Sequence, residues 1–122
     1  MLRTPRLFAA SVRFHDAAPA VAIVDLQGEI NAFAEEMLND AYAEADAHNP
    51  SAILLNFGDV DYINSTGIAL IVALLARARK AHRHLMTCGL GEHYEEIFRI
   101  TRLADFMTVH RDEASALHTP VP

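Results

Sequence analysis

The sequence predicts an α/β domain in which a mixed, mostly parallel β-sheet is packed with about four helices. Three observations lead to this fold class. Segments with the composition of strands alternate with segments of helical periodicity along the chain. Residues 53–57 form a nearly continuous apolar run, which is typical of a central strand. Two strand-like segments precede the first helix, and their pairing as an antiparallel hairpin makes the sheet mixed.

The predicted hairpin consists of strands at residues 7–14 and 21–26. The loop between them, residues 15–19, ends in a proline that breaks regular structure. The second strand is rich in β-branched residues, and Gly28 is expected to end it.

A first helix is expected after Asn31, which has the side chain of an N-cap residue. Residues 48–50 should stop this helix, because His48 and Asn49 are followed by a proline. Its apolar positions recur at helical spacing: Ala34, Met37, Leu38, Ala41 and Ala45.

The central strand at residues 52–57 is expected to lead into a loop at 58–64. A second helix should then run from residue 65 to about residue 82, with cations in its last turns that complement the helix dipole. The face of this helix that should pack on the sheet is apolar: Ile68, Ile71, Val72, Leu75 and Ala78.

The remaining elements are a strand at residues 85–88, a helix at 92–100, a last strand at 106–109 and a closing helix at 112–117, before a short tail. For a chain of this length, the helices are expected to cover only one face of the sheet well. The buried stripe of the third helix should be Tyr94, Ile97 and Phe98.

The length of 122 residues predicts one compact domain over residues 1–122, with a core at about residues 7–117. A hydrophobic content of 52% is ample for one core. The 16 acidic and 10 basic residues give a net charge of −6, and such a surface repels the phosphates of nucleic acids. Direct nucleic-acid binding is therefore not expected.

The expected compartment is the cytoplasm. A single cysteine, Cys88, forms no internal disulfide, which fits a reducing environment. The segment Val12-Arg13-Phe14-His15-Asp16 interrupts the hydrophobicity after the basic start too early for a signal peptide. The longest apolar stretch, residues 68–76, is too short to span a bilayer, so no membrane insertion is expected.

The sequence Asn64-Ser65-Thr66-Gly67 is the candidate functional site, because it lies between an apolar strand and an apolar helix. A phosphate at either hydroxyl would meet unpaired N–H groups and the positive end of the helix dipole. Gly67 has no side chain, so it should leave room for an incoming group. The alternative is local, since Ser and Thr are favoured N-cap residues without any further role.

The exposed side of the second helix suggests a docking surface. It begins with the small or apolar residues Ala69, Leu70, Ala73 and Ala76, where polar residues would be usual. A smooth apolar patch beside two hydroxyls suits the docking of another protein. The alternative is that alanines are simply good helix formers.

Three segments of the chain carry a family resemblance: Gly28-Glu29-Ile30-Asn31, the strand at 53–57, and the segment 60–68 that contains Asn64-Ser65-Thr66-Gly67. Together they resemble the STAS domain family, and more narrowly its bacterial anti-sigma-factor antagonists. The family patterns are G-E-[LIV]-D near the first helix and D-S-[ST]-G at the second. The resemblance covers about residues 7–117 and implies a STAS-like fold.

The resemblance implies that Ser65 is a phosphoacceptor, with Thr66 as the fallback and mainly a capping residue. Such an antagonist binds an anti-sigma-factor serine kinase when unphosphorylated, and so frees a sigma factor. The kinase phosphorylates and releases it, and a phosphatase restores it. The chain would be no enzyme, and it would need no cofactor, since ATP and its metal ion belong to the kinase. The residues expected at the partner are Asn31, Asn64, Thr66, Gly67, Ala69, Leu70 and Ala73.

Two departures from the family pattern leave the regulation open, because Asn31 and Asn64 stand where Asp is usual. A carboxylate beside Ser65 would repel a phosphate, whereas an amide can donate a hydrogen bond to it. The loss of these two carboxylates favours either the phosphorylated form or a changed recognition by the kinase. The alternative function is a non-phosphorylated STAS scaffold or accessory subunit of a signalling or transport complex.

Metal and hydrolase sites are not expected. The seven histidines do not stand at a recognisable ligand spacing with carboxylates or Cys88. Ser65 lacks the G-x-S-x-G context of a hydrolase nucleophile. Cys88 lies in an apolar strand, which predicts a buried and inert thiol.

Overall fold

The structure, a computed structural model, describes residues 6–17 and 19–118. The start of the chain and the predicted tail at 119–122 lie outside the described residues. The strands are β1 (Ala9–His15), β2 (Val21–Ile30), β3 (Ala52–Ile63), β4 (His84–Cys88) and β5 (Thr108–His110). The α-helices are α1 (Glu35–Ala47), α2 (Ser65–Lys80), α3 (Glu92–Ile100) and α4 (Glu113–Leu117). Two short 3-10 helices precede α1 and β5, at Ala32–Ala34 and Leu103–Asp105.

The strands form one sheet in the order β1-β2-β3-β4-β5. β1 is antiparallel to β2, and the other neighbours are parallel. This arrangement confirms the predicted mixed, mostly parallel sheet and its initial hairpin. Because each parallel connection contains a helix, the starts of α1, α2 and α3 all lie at the carboxyl edge of the sheet.

The larger core lies between one face of the sheet and the helices α1, α2 and α3. The opposite face carries a smaller cluster, which packs against α4 through Ala116 and Leu117. The expectation that one face is covered better than the other is therefore confirmed. Within residues 6–17 and 19–118, no helix is both long enough and apolar enough to cross a membrane.

The strands β2 and β3 are longer than predicted. β2 continues through Gly28, which has a φ of +84°, and β3 continues through residues 58–63, which were expected to form a loop. The register between the two strands shifts on either side of Gly28. A Cβ on Gly28 would lie 2.9 Å from the carbonyl carbon of Leu7, so only glycine fits this irregular part of the ladder.

The final strand and the helix faces also differ from the prediction. Phe106, placed in a strand at 106–109, is half exposed and precedes β5. Val72 and Met37 were expected to be buried, but they are 44% and 45% exposed. Val72 lies about 100° around the helix axis from the buried Ile71, which turns it away from the sheet. Leu74 is buried instead.

Candidate functional site

The candidate site lies where β2 and β3 end together. Ile30 and Ile63, the last residues of these parallel strands, are paired neighbours. Asn31 and Asn64 follow them directly, and the backbone N–H of Asn64 donates to the carbonyl of Ile30 at 3.2 Å. The fold thus brings the two predicted motifs to one edge of the sheet.

Asn64 is the N-cap of α2. Its backbone is extended, and its Oδ1 accepts a hydrogen bond from the backbone N–H of Gly67 at 2.8 Å. Ser65 and Thr66 lie in the first turn of the helix, and both are exposed. The interpretation of Thr66 as a capping residue is therefore wrong. The alternative that the two hydroxyl residues are present only as N-cap residues is wrong for the same reason, because Asn64 is the N-cap.

Asn31 makes an equivalent cap at the end of β2. Its Oδ1 accepts from the backbone N–H of Phe33 at 2.9 Å and so begins the 3-10 helix that leads into α1. An amide oxygen accepts these hydrogen bonds as a carboxylate oxygen would. Asparagine at positions 31 and 64 thus preserves the local backbone while it removes two negative charges from the surroundings of Ser65.

Gly67 allows the start of α2 to pack closely on the end of β2. It is buried, and a Cβ added there would overlap the carbonyl oxygen of Ile30 and lie 2.8 Å from Cγ2 of Ile63. The expectation that its missing side chain makes room for an incoming group is thus corrected, because the room is filled by the chain itself. The role of Gly67 is thus to fix the position of the first turn of α2, which contains Ser65, and not to open space around Ser65.

The electrostatics at Ser65 suit an anion. The first turn of α2 contains no acidic residue, and its N–H groups at Ser65 and Thr66 precede the first intrahelical hydrogen bond. The cap uses only Oδ1 of Asn64, and its Nδ2 is a further donor. A phosphate on Ser65 would therefore meet donors and the positive end of the helix dipole.

An exposed surface surrounds the hydroxyls. Ala69 and Ala73 are exposed, and Leu70 is half-buried. The structure adds two large apolar side chains that the sequence did not single out, because Phe33 follows a predicted N-cap and Tyr62 lies in a predicted loop, and neither context indicates exposure. Phe33, two residues after Asn31, is 93% exposed, and Tyr62, two residues before Asn64, is also exposed.

A cavity of about 380 Å³ lies next to Phe33, under the chain segment that precedes β1. Arg6 holds this segment in place, because its guanidinium makes hydrogen bonds to both carboxylate oxygens of Asp61, at 2.7 and 3.1 Å. The cavity is lined by Arg6, Leu7, Phe8, Glu29, Asn31, Phe33 and Met37. The apolar surface at the carboxyl edge of the sheet is therefore larger than the patch on α2 alone.

The side chains considered for other chemistry are not gathered into a site. Within the described ranges, no group of three or more His, Cys, Asp or Glu side chains is placed to hold a metal ion. Cys88 is buried, and desolvation raises the pKa of its thiol to about 12. It is therefore protonated near neutral pH, which agrees with the predicted inert thiol.

The caps lead to a first prediction. Replacing Asn64 with alanine should lower the free energy of unfolding by about 1 kcal/mol, because the N–H of Gly67 loses its acceptor. Asn64→Asp should be at least as stable as the wild type at pH 7, since a carboxylate also caps and interacts favourably with the helix dipole. Urea denaturation measures both values. Equal losses in the two variants would mean that Nδ2, and not Oδ1, is the important group.

Comparison with known proteins shows similarity over nearly the whole described chain. The STAS domain family matches residues 11–116. A putative anti-sigma factor antagonist, BtrV of Bordetella bronchiseptica, is 28% identical over 102 residues, which cover 83% of this chain and 88% of that protein.

Two solved structures share the fold. An anti-sigma factor antagonist from Mycobacterium paratuberculosis has a TM-score of 0.78 at 22% identity, covering 95% of this chain and 96% of the other. The Bacillus cell fate determinant SpoIIAA, in its phosphorylated form, has a TM-score of 0.64 at 16% identity, covering 88% of this chain and 96% of the other.

Proposed function

Because the chain belongs to the STAS domain family, we propose that it is an anti-sigma-factor antagonist whose binding to an anti-sigma-factor serine kinase is controlled by phosphorylation of Ser65. One observation carries the proposal. Ser65 is exposed in the first turn of α2, while the cap is supplied by Asn64. Its hydroxyl is thus available for modification at a place where the fold can stabilise a phosphate. The description of the similar protein BtrV as a putative anti-sigma factor antagonist supports the antagonist part of this proposal.

The unphosphorylated protein docks through the carboxyl edge of the sheet. Small side chains at Ala69 and Ala73 let a partner approach the α2 backbone closely. Thr66 and Leu70 complete this side of the surface, and Asn31 and Asn64 border it. Gly67 contributes by fixing the start of the helix, since it is itself buried.

Phosphorylation ends the complex without unfolding the protein. A phosphate adds about −1.5 to −2 charges at pH 7. In the free protein, the start of α2 stabilises this charge, and neither Asn31 nor Asn64 repels it. In the complex, a surface that fits a neutral serine would have to desolvate the phosphate, which costs several kcal/mol when the charge is unpaired. The kinase therefore releases the product, and a phosphatase restores the binding form.

The proposed role is binding and not catalysis, and it places the protein in the cytoplasm, where sigma factors act. ATP and its metal ion belong to the kinase, so the chain itself needs no cofactor. The test is calorimetric titration of the protein with the anti-sigma-factor kinase of its native host. Binding that is lost after incubation with ATP, together with phosphate on Ser65 by mass spectrometry, is the expected result.

A second candidate function is a constitutive STAS scaffold or accessory subunit of a signalling or transport complex. The observation that favours it is the presence of Asn31 and Asn64 in place of the family's aspartates. A chain that is stably unmodified in its native host, and that elutes in a large complex, would support the scaffold and contradict the switch.

Phe33 should anchor the complex. Its ring is 93% exposed, and burial of an aromatic side chain at the centre of an interface commonly dominates affinity. Phe33→Ala should weaken kinase binding about tenfold, which is about 1.4 kcal/mol, with little change in the stability of the free protein. Phe14→Ala is the control, because Phe14 is also an exposed phenylalanine but lies at the amino edge of the sheet, where it pairs with Ala22 near the start of β2. If the two variants change kinase affinity equally, Phe33 is not part of the interface.

A further inference from the structure

A second apolar surface lies on α2, away from Ser65. The C-terminal half of α2 and the chain that follows α3 enclose a groove of about 490 Å³. One wall is formed by Val72, Ala76 and Arg79, and the other by Arg102, Leu103 and Phe106. We refer to it as the α2–α3 groove.

The walls of this groove expose two large apolar side chains. Val72 is 44% exposed and Phe106 is 51% exposed. Val72, Ala76 and Arg79 lie on one face of α2 and extend over about two turns, or about 10 Å. An exposed apolar channel of this length, walled on one side by a helix, suits an amphipathic helix that lies in it.

The charges around the groove are the reverse of those of the whole chain. The protein has a net charge of −6, yet α2 contains no acidic residue and ends in Arg77, Arg79 and Lys80. The guanidinium of Arg79 lies 4.6 Å from the ring centroid of Phe106. Stacking of this kind holds the guanidinium in place and leaves its N–H groups available to a carboxylate. Arg102, on the opposite wall, is paired with Asp105.

The groove also continues the surface that we assign to the kinase. The exposed face of α2 runs from Ser65 through Ala69 and Ala73 to Ala76, where the groove begins. Ser65 and Val72 are separated by seven residues, which is about 10 Å along a helix. A partner that covers Ser65 can therefore reach the groove without a change in the fold.

We propose that the α2–α3 groove binds an acidic amphipathic helix of the same kinase. The apolar stripe of that helix lies on Val72, Leu103 and Phe106, and its carboxylates face Arg79. The inference rests on the proposed function, and it adds an anchor that does not depend on phosphorylation. The kinase then contacts α2 at both ends, and the phosphate on Ser65 weakens only the contact at the N-terminal end.

The test measures the affinity of the host's anti-sigma-factor kinase for Val72→Asp and Arg79→Glu. Each variant should bind about tenfold to a hundredfold more weakly than the wild type. Arg111→Glu is the matched control, since it makes the same charge reversal at an exposed arginine that does not line the groove, and it should change affinity less than about threefold. Thermal melts should show that all three variants remain folded, because the replaced side chains are exposed.

A double variant that combines Ser65→Asp with Arg79→Glu, compared with the single variants, distinguishes the groove proposal from the proposed function. The losses in affinity from Ser65→Asp and Arg79→Glu should multiply, because the two residues lie 14 positions, or about 21 Å, apart along α2, and distant sites act independently. If Ser65→Asp weakens binding but neither groove variant does, the groove proposal is wrong and the proposed function stands. If the kinase does not bind the wild-type protein, both are wrong.

Other occupants of the groove would give distinct results. A wild-type dimer, seen by light scattering without the kinase, that Val72→Asp converts to a monomer would assign the groove to a second copy of the chain. Binding of dodecanoate that Arg79→Glu abolishes, with kinase affinity unchanged, would assign it to a small anionic amphiphile. Either result would overturn the proposal of a kinase helix.

Discussion

Replacing Ser65 with aspartate should lower the affinity of the protein for the proposed kinase partner by about a hundredfold, or about 2.7 kcal/mol. The added carboxylate stands where the complex has a neutral hydroxyl, so it must be desolvated without a partner when the kinase docks. In the free protein, the same carboxylate lies in the first turn of α2, where it interacts favourably with the helix dipole. The melting temperature should therefore stay the same or rise while binding is lost.

Two further variants identify the acceptor. Ser65→Ala should bind the kinase as the wild type does and should resist phosphorylation, whereas Thr66→Ala should still be phosphorylated. Calorimetry measures the affinities, and mass spectrometry after incubation with kinase and ATP measures the modification. The opposite pattern of phosphorylation would make Thr66 the acceptor. If no kinase of the native host modifies either residue, the switch is wrong and the scaffold function takes its place.

The order of strands and helices could be predicted because it depends on local patterns. The apolar run at 53–57 and the spacing of Leu38, Ala41 and Ala45 are properties of short segments, and the fold uses both as expected. The meeting of Asn31 with Asn64 did not follow from these patterns, because it requires β2 and β3 to continue to Ile30 and Ile63, beyond the predicted strand ends.

The length of β3 could not be predicted in the same way. Gly58, Asp59 and Asp61 are typical of turns, but Asp59 pairs with Gln27 of β2 in an extended ladder. That pairing joins residues far apart in sequence, and local composition carries no sign of it. The exposure of Phe33 was missed for a related reason, because helical periodicity does not show which aromatic residues lack a neighbour to cover them.

Gly67 shows how a long-range contact can reverse a local preference. Alanine is favoured over glycine inside a helix by about 1 kcal/mol, so helix propensity alone predicts that Gly67→Ala stabilises the protein. The structure predicts the opposite, because the new Cβ would overlap the carbonyl oxygen of Ile30 and lie 2.8 Å from Cγ2 of Ile63. Neither neighbour can move freely, since one is backbone and the other is buried in the core.

Gly67→Ala should therefore lower the free energy of unfolding by about 3 kcal/mol, at the upper end of the range for overpacked cores. Urea denaturation measures the loss, and Gly91→Ala is the control. A Cβ at Gly91, the N-cap of α3, meets no atom within 4 Å, so that variant should lose at most about 1 kcal/mol. Because relief of the overlap must move the first turn of α2, Ser65 should move with it, and kinase affinity should fall even under conditions where the variant is folded. A Gly67→Ala protein as stable as the wild type would show that the start of α2 is free to shift, and the fixed placement of Ser65 would then be wrong.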